Sequence, residues 1–170
     1  MLTAQQVVAL LRLAPLPEEG GHFRETYRAD EPIAREALPA RYTGPRPHGS
    51  AIYYLLRADT FSTLHRLRSD EIYHFYLGQP VEMLLLYPDG RDETLLLGPD
   101  ITAGQRVQVV VPRGVWQGSR LAQPAPEGFA LLGTTMAPAY DQADFELGKR
   151  ESLLAGYPAR AELIRALTAG

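Results

Sequence analysis

The stretch Leu64-His65-Arg66-Leu67-Arg68-Ser69-Asp70-Glu71-Ile72-Tyr73-His74-Phe75-Tyr76-Leu77-Gly78 decides how this chain folds. Side chains two apart on a strand share a face, so His65 and Leu67 point the same way. Ser69 and Asp70 make a short turn, and Glu71 then opens a second strand on which Tyr73 and Phe75 lie on the carboxylate's side. His74, three residues past Glu71, alternates to the opposite face. A second cluster, Pro112-Arg113-Gly114-Val115-Trp116-Gln117, follows the apolar run 107–111.

Working outward, runs 22–28, 52–57, 61–67, 72–77, 81–87, 94–97, 107–111 and 129–134 are short and rich in β-branched or aromatic residues. Turn signals separate them, among them Pro88-Asp89-Gly90, Gly98-Pro99-Asp100 and Ala103-Gly104. The connections are too short for crossover helices, which excludes parallel βαβ units and leaves an antiparallel sandwich or closed barrel. Thr3 is an expected N-cap for a first helix carrying Leu2, Val7, Leu10 and Leu11, stopped by Pro15 and Pro17. Gly20-Gly21 form a turn, residues 29–49 read as a long surface loop, and residues 159–167 have the spacing of a closing helix. The chain is expected to be one domain. Residues 1–49 supply the helix, first strand and loop, 50–136 the barrel core, and 137–170 a C-terminal extension with its helix.

Composition narrows the function classes. Of 170 residues, 45% are hydrophobic and 22% charged, which suits a globular core. A net charge of −3 argues against non-specific binding to nucleic acid, which needs a basic face. No apolar run approaches the roughly 20 residues that span a bilayer, so no membrane partner is expected. No cysteine is present, which excludes disulfides, thiolate metal sites and a cysteine nucleophile. Lys149 is the only lysine, against sixteen arginines, and there is no asparagine; coding bias explains this as well as heat adaptation does. The N-terminus has none of the pattern of a secretory signal, and the cytoplasm is the expected location.

The quoted stretch and the 112–117 cluster together resemble the two motifs of the cupin superfamily. His65, Glu71 and Gly78 fall on matching positions of the first motif, with Leu67 where a second histidine is usual; Pro112 and Gly114 match the second, with Gln117 in place of its histidine. Residues 21–27, 138–140 and 144–148 extend the resemblance to an uncharacterised cupin family, cupin family 5. The resemblance implies a mainly β fold, a cupin-type double-stranded β-helix or jelly-roll barrel with short N- and C-terminal helices, a homodimer and a small-molecule pocket. It also implies one divalent transition metal ion, here left with His65, Glu71 and Gln117 as an incomplete ligand set.

Each candidate also has an ordinary reading. His65 is suited to metal ligation or acid/base work because its two nitrogens are distinct and it titrates near neutrality, but it equally fits a hydrogen-bonded lining residue. A carboxylate at Glu71 facing a barrel interior is costly unless paired or protonated; otherwise it is a solvated turn residue. Gln117 offers an amide oxygen to a metal or a hydrogen bond to a ligand. Tyr73 is core or a phenolic proton donor, and Phe75 is core or pocket wall. Arg24 and Tyr27 on the first strand are candidate ligand contacts, Arg24 as a carboxylate or phosphate clamp, or a solvated edge. Three functions stay open. The first is a metal-free isomerase or epimerase acting on a sugar or related metabolite, with His65 as base, Tyr73 or another tyrosine as acid, and Glu71 orienting the imidazole. The second is a metal-dependent oxygenase or isomerase, and the third a module that binds a metabolite without turnover.

Overall fold

A computed structural model describes residues 2–169. Thr3 caps helix α1 (Ala4–Leu11) in a full capping box with Gln6, and Arg12 ends it in the left-handed region at φ 54°. Two-residue β1 (Ala14–Pro15) leads to β2 (His22–Arg28). Short strands β3 (Pro32–Ile33) and β4 (Arg46–Pro47) pair within the long loop. The barrel strands follow as β5 (Ser50–Arg57), β6 (Phe61–Arg66), β7 (Glu71–Gly78), β8 (Val81–Leu86) and β9 (Asp92–Leu97). They continue through β10 (Gln108–Val111), β11 (Trp116–Leu121) and β12 (Phe129–Met136). Last come β13 (Glu146–Leu147), α2 (Arg150–Gly156) and α3 (Ala161–Ala166).

Two antiparallel sheets face each other, a six-stranded sheet in the order β1-β2-β5-β12-β7-β10 and a five-stranded sheet in the order β13-β6-β11-β8-β9. From β5 to β13 successive strands alternate between the sheets, except that β8 and β9 pair as a hairpin within one, the jelly-roll arrangement expected of this sequence. The main core lies between them, built from Tyr54, Leu56, Tyr73, Met83, Leu85, Val109 and Leu132 among others. Both outer faces are also partly covered. On the six-stranded sheet, Ala4 and Val7 of α1 pack against Leu55, Phe129 and Leu131. On the five-stranded sheet, Leu153, Ile164 and Leu167 of the C-terminal helices pack against Leu64, Leu84 and Leu86. That double cover explains why β8 reads as the unbroken apolar run Met83-Leu84-Leu85-Leu86: neither face meets water.

Three expectations need correction. Leu2 and Leu10 do not belong to the buried face of α1: they are 48% and 70% exposed, and Ala4 with Val7 makes the contact instead. The central strand β11 was hidden because Trp116-Gln117-Gly118-Ser119-Arg120-Leu121 lacks apolar alternation. Its Gly118 lies so close to β6 that an added Cβ would come 2.9 Å from Leu64 and 3.1 Å from the Ser62 carbonyl. Helix α2 was not anticipated, and the closing helix is shorter than expected, with a 3₁₀ turn at Pro158–Arg160 before it. No helix among the described residues is long and apolar enough to cross a membrane.

Candidate functional site

The register of β6, β11 and β7 brings polar side chains into the barrel. Gln117 on β11 pairs directly with His65 on β6. Glu71 heads β7, between Val111 of β10 and Met136 of β12. All three side chains are buried, as is Tyr73. The Gln117 amide nitrogen donates to Glu71 Oε2 at 2.8 Å, while Gln117 Oε1 is buried with no hydrogen-bond partner. His65 Nδ1 lies 2.7 Å from the Thr63 carbonyl. A carbonyl can only accept, so Nδ1 carries the proton and Nε2 keeps its lone pair. Phe145 stacks on the imidazole with ring centroids 5.2 Å apart.

Glu19 completes the constellation, and nothing in the two motifs pointed to it. The segment leading into β2 crosses β6 as a strap: Thr63 N–H donates to the Glu19 carbonyl at 2.7 Å, and Tyr54 Oη to the Gly20 carbonyl at 3.0 Å. Gly20 is obligatory there. Its φ is +97°, and a Cβ would stand 2.3 Å from the Phe61 carbonyl oxygen. The strap aims the Glu19 side chain inward, where Ser62 Oγ donates to Oε1 at 3.1 Å and Oε2 lies 4.0 Å from His65 Nε2. The available signal was the Glu-Gly-Gly turn itself, since paired glycines allow a backbone to press against a strand.

Glu19 and Glu71 line one small cavity of about 70 Å³, with Ser50, Thr134, Tyr140 and Glu25, the last paired with Arg28, as further polar groups and Leu16, Phe23 and Leu67 among its apolar walls. Such a volume admits a few non-hydrogen atoms, against about 300–1,000 Å³ for a pocket that swallows a whole drug-sized ligand. His65 and Gln117 stand behind this lining and touch the cavity through the two carboxylates.

Burial sets the charges. It raises Glu19 from the usual 4.5 to about 7, although the Ser62 and Tyr54 hydroxyls pull the other way. Glu71 is raised by burial first and by the charge of Glu19 second, opposed by His65, Thr134 and Gln117. His65 is lowered by burial, against the pull of Glu71 and the Thr63 carbonyl. The 4.0 Å approach of His65 to Glu19 is therefore not an ion pair at neutral pH: the imidazole is uncharged. Burial, Glu71 and Glu19 all hold the Tyr73 hydroxyl well above the usual value, so it stays a protonated phenol.

Not every candidate comes to this place. Phe23 and Glu25 turn inward from β2, whereas Arg24 lies over the Tyr53 ring on the outer face at 5.5 Å. A bulge between Glu25 and Tyr27 shifts the register, and Tyr27 is 58% exposed opposite Ala51. Arg24 and Tyr27 are thus outside the barrel, a correction that follows from strand alternation plus the bulge. Phe75 does face inward but packs into the apolar core away from the cavity. His74 is on the outer face, 3.1 Å from Thr135 Oγ1 and stacked on Tyr76.

The ligand set implied for a divalent transition metal does not fit these residues. Leu67 offers no donor atom, and Gln117 directs an N–H, not its oxygen, at Glu71. Among the described residues no three His, Asp or Glu side chains converge as metal ligands.

The model of the family described as Cupin superfamily (DUF985) matches residues 5–148. An uncharacterised protein of Saccharomyces cerevisiae, YML079W, is 30% identical over 143 residues, 80% of this chain and 71% of its own length. The crystal structure of protein SO0799 from Shewanella oneidensis is 35% identical and superposes with a TM-score of 0.85 over 99% of both chains. Oxalate decarboxylase of Bacillus subtilis, at 13% identity, a TM-score of 0.52 and coverage of 91% of this chain and 37% of its own, shares the fold alone.

Proposed function

The chain belongs to the cupin superfamily, in the family DUF985, and from that membership we propose that its inner cavity takes only the reacting carbonyl end of a small polar metabolite, sugar-like in its hydroxyl and carbonyl groups, and moves a proton on it without a metal. The observation that carries this reading is the pair of carboxylates, buried Glu71 and part-buried Glu19, facing one small cavity, with the charge of Glu19 disfavouring ionisation of Glu71. Two such groups do not both hold a charge readily, so one is available as acid while the other is base. The Gln117 amide favours the ionised form of Glu71, which makes Glu71 the base that accepts a proton from a carbon next to a substrate carbonyl. Glu19, poised at about 7, returns a proton at the same or the adjacent carbon, the step of an isomerase or epimerase. His65, neutral and locked by Thr63, is a positioning residue that sets the field around Glu71 and Glu19. Thr134 and Tyr140 line the same cavity, where Thr134 can hydrogen-bond a substrate oxygen, while the Tyr140 O–H is given to Gln142 Oε1 at 2.7 Å.

We also propose a homodimer, for which exposed Tyr27, Tyr76 and Val110 on the outer face of the six-stranded sheet offer an apolar surface.

Incubation in D₂O with a panel of aldoses, ketoses and hydroxy-ketones, followed by NMR, tests the chemistry. Carbon-bound hydrogen should exchange in the presence of chelator, and E71Q should abolish the exchange while retaining ligand binding by native mass spectrometry. Exchange that requires an added divalent metal would overturn the reading. Ligand capture with no exchange in the wild type would replace it with binding without turnover.

A further inference from the structure

On the far side of Leu67 from the small cavity lies a second and much larger one, about 610 Å³, whose rim carries Arg41, Arg66, Arg68 and Arg113. For a chain of net charge −3 this is a marked local concentration of positive charge. Its two acidic residues are already engaged. Glu146 takes Arg66 in a two-pronged pair at 2.9 and 3.0 Å, and buried Asp144 is held by Arg46 at 2.7 and 2.8 Å. Among the described residues, Arg41, Arg68 and Arg113 have no carboxylate partner within ion-pair distance, leaving three uncompensated guanidinium groups around one opening.

Their placement is not left to chance. Arg41 Nε donates to the Arg68 carbonyl at 2.9 Å, and Arg68 Nη1 to the Arg41 carbonyl at 2.8 Å. This reciprocal clasp fixes both side chains and consumes few of their five N–H donors without neutralising either charge. The backbone N–H of Arg113 is anchored on Asp70 Oδ1 at 2.8 Å, while the Arg113 side chain makes no hydrogen bond among the described residues. An ordinary solvated arginine has neither such preorganisation nor two like-charged neighbours across a cavity.

We propose that this arginine-rimmed cavity binds the phosphate group of a phosphorylated small molecule. Three separate guanidiniums match a dianion with three terminal oxygens better than a carboxylate, which has two oxygens and one charge. The volume exceeds a bare phosphate and leaves room for its organic part against Leu67 and Phe145. This assignment does not depend on the acid/base chemistry proposed for the inner cavity.

Calorimetric titration of the full chain with inorganic pyrophosphate, at fixed low ionic strength, tests it. Saturable binding in the range of about 1 mM or tighter is expected, weakened about tenfold in R113Q and again in R68Q. R91Q, an exposed arginine in the β8–β9 turn, should bind as the wild type does. R113K, which keeps charge but loses the fork, should fall between, and it reads the same site should R113Q fold poorly. Binding unaffected by R113Q and R68Q, loss shared equally by R91Q, or no saturation would overturn the site. Acetate competing as well as pyrophosphate at equal ionic strength would overturn the choice of phosphate.

Discussion

Replacing Glu19 with Gln should make the protein more stable at alkaline pH than at acidic pH, relative to the wild type. In the unfolded chain Glu19 ionises near 4.5; in the folded barrel it does so at about 7. Between those values the folded state holds a proton that the unfolded state has lost, so wild-type stability falls as pH rises through this window and levels off above it. At about 1.4 kcal/mol per pKa unit the interval amounts to about 3 kcal/mol, a ceiling because 15% of the side chain remains exposed and solvent screens it. Gln has no such titration. Removing Glu19 also withdraws the second cause that raises Glu71, which shifts the balance in the same direction. Urea unfolding of wild type and E19Q at pH 5 and pH 8 provides the measurement. The stability of E19Q minus that of wild type should increase between the two pH values by up to about 3 kcal/mol. A difference that is flat, or of opposite sign, means that Glu19 ionises like a solvated carboxylate, and the acid half of the proposed pair fails with it.

Gly20→Ala should cost about 2 kcal/mol or more, because a positive φ and a backbone oxygen 2.3 Å from the new Cβ force the strap off β6; amide exchange at Thr63 N–H should accelerate with it. Gln117→Leu removes the donor that favours ionised Glu71, so the loss, about 1–3 kcal/mol, should be larger at pH 8 than at pH 5 in paired denaturant melts. Asp144→Ala takes the bidentate partner from buried Arg46, leaving only the 3.9 Å approach of Asp141, and should destabilise by about 3–5 kcal/mol in the same assay, with the Arg46→Met/Asp144→Leu double variant recovering much of it.

The barrel was legible because its signals are local and redundant. Strand β2 is legible over its full extent from His22 to Arg28, and most other strands within one or two residues, since turns with Gly, Pro and Asp punctuate alternating apolar runs. What escaped notice lacked that periodicity. β11 is held by neighbours on both sides, β6 and β8, so burial of its backbone hydrogen bonds makes it a strand despite Gly118 and Ser119. Helix α2 buries only Leu153, too little for a recognisable stripe.

The site divides along the same line. Alternation carries His65, Glu71 and Tyr73 inward, because their positions along the strands fix which way they face, whereas Gln117, on a strand without apolar alternation, is marked only by its motif position. The same rule sent Arg24 out, and a bulge one residue later undid any simple reading of Tyr27. Glu19 belongs to no strand. It enters the barrel through a turn whose inward aim depends on contacts with Phe61, Ser62 and Thr63, more than forty positions away in sequence, and those exist only after the chain has closed. Leu67 is the residue whose identity matters most for chemistry. It stands in the wall of both cavities and brings an apolar surface where a donor atom would otherwise face Glu71. With no counter-charge supplied by Leu67, burial raises Glu19, and burial together with the charge of Glu19 raises Glu71. The proton chemistry proposed for this interior rests on those raised carboxylates, and the apolar wall is part of the reason they are raised.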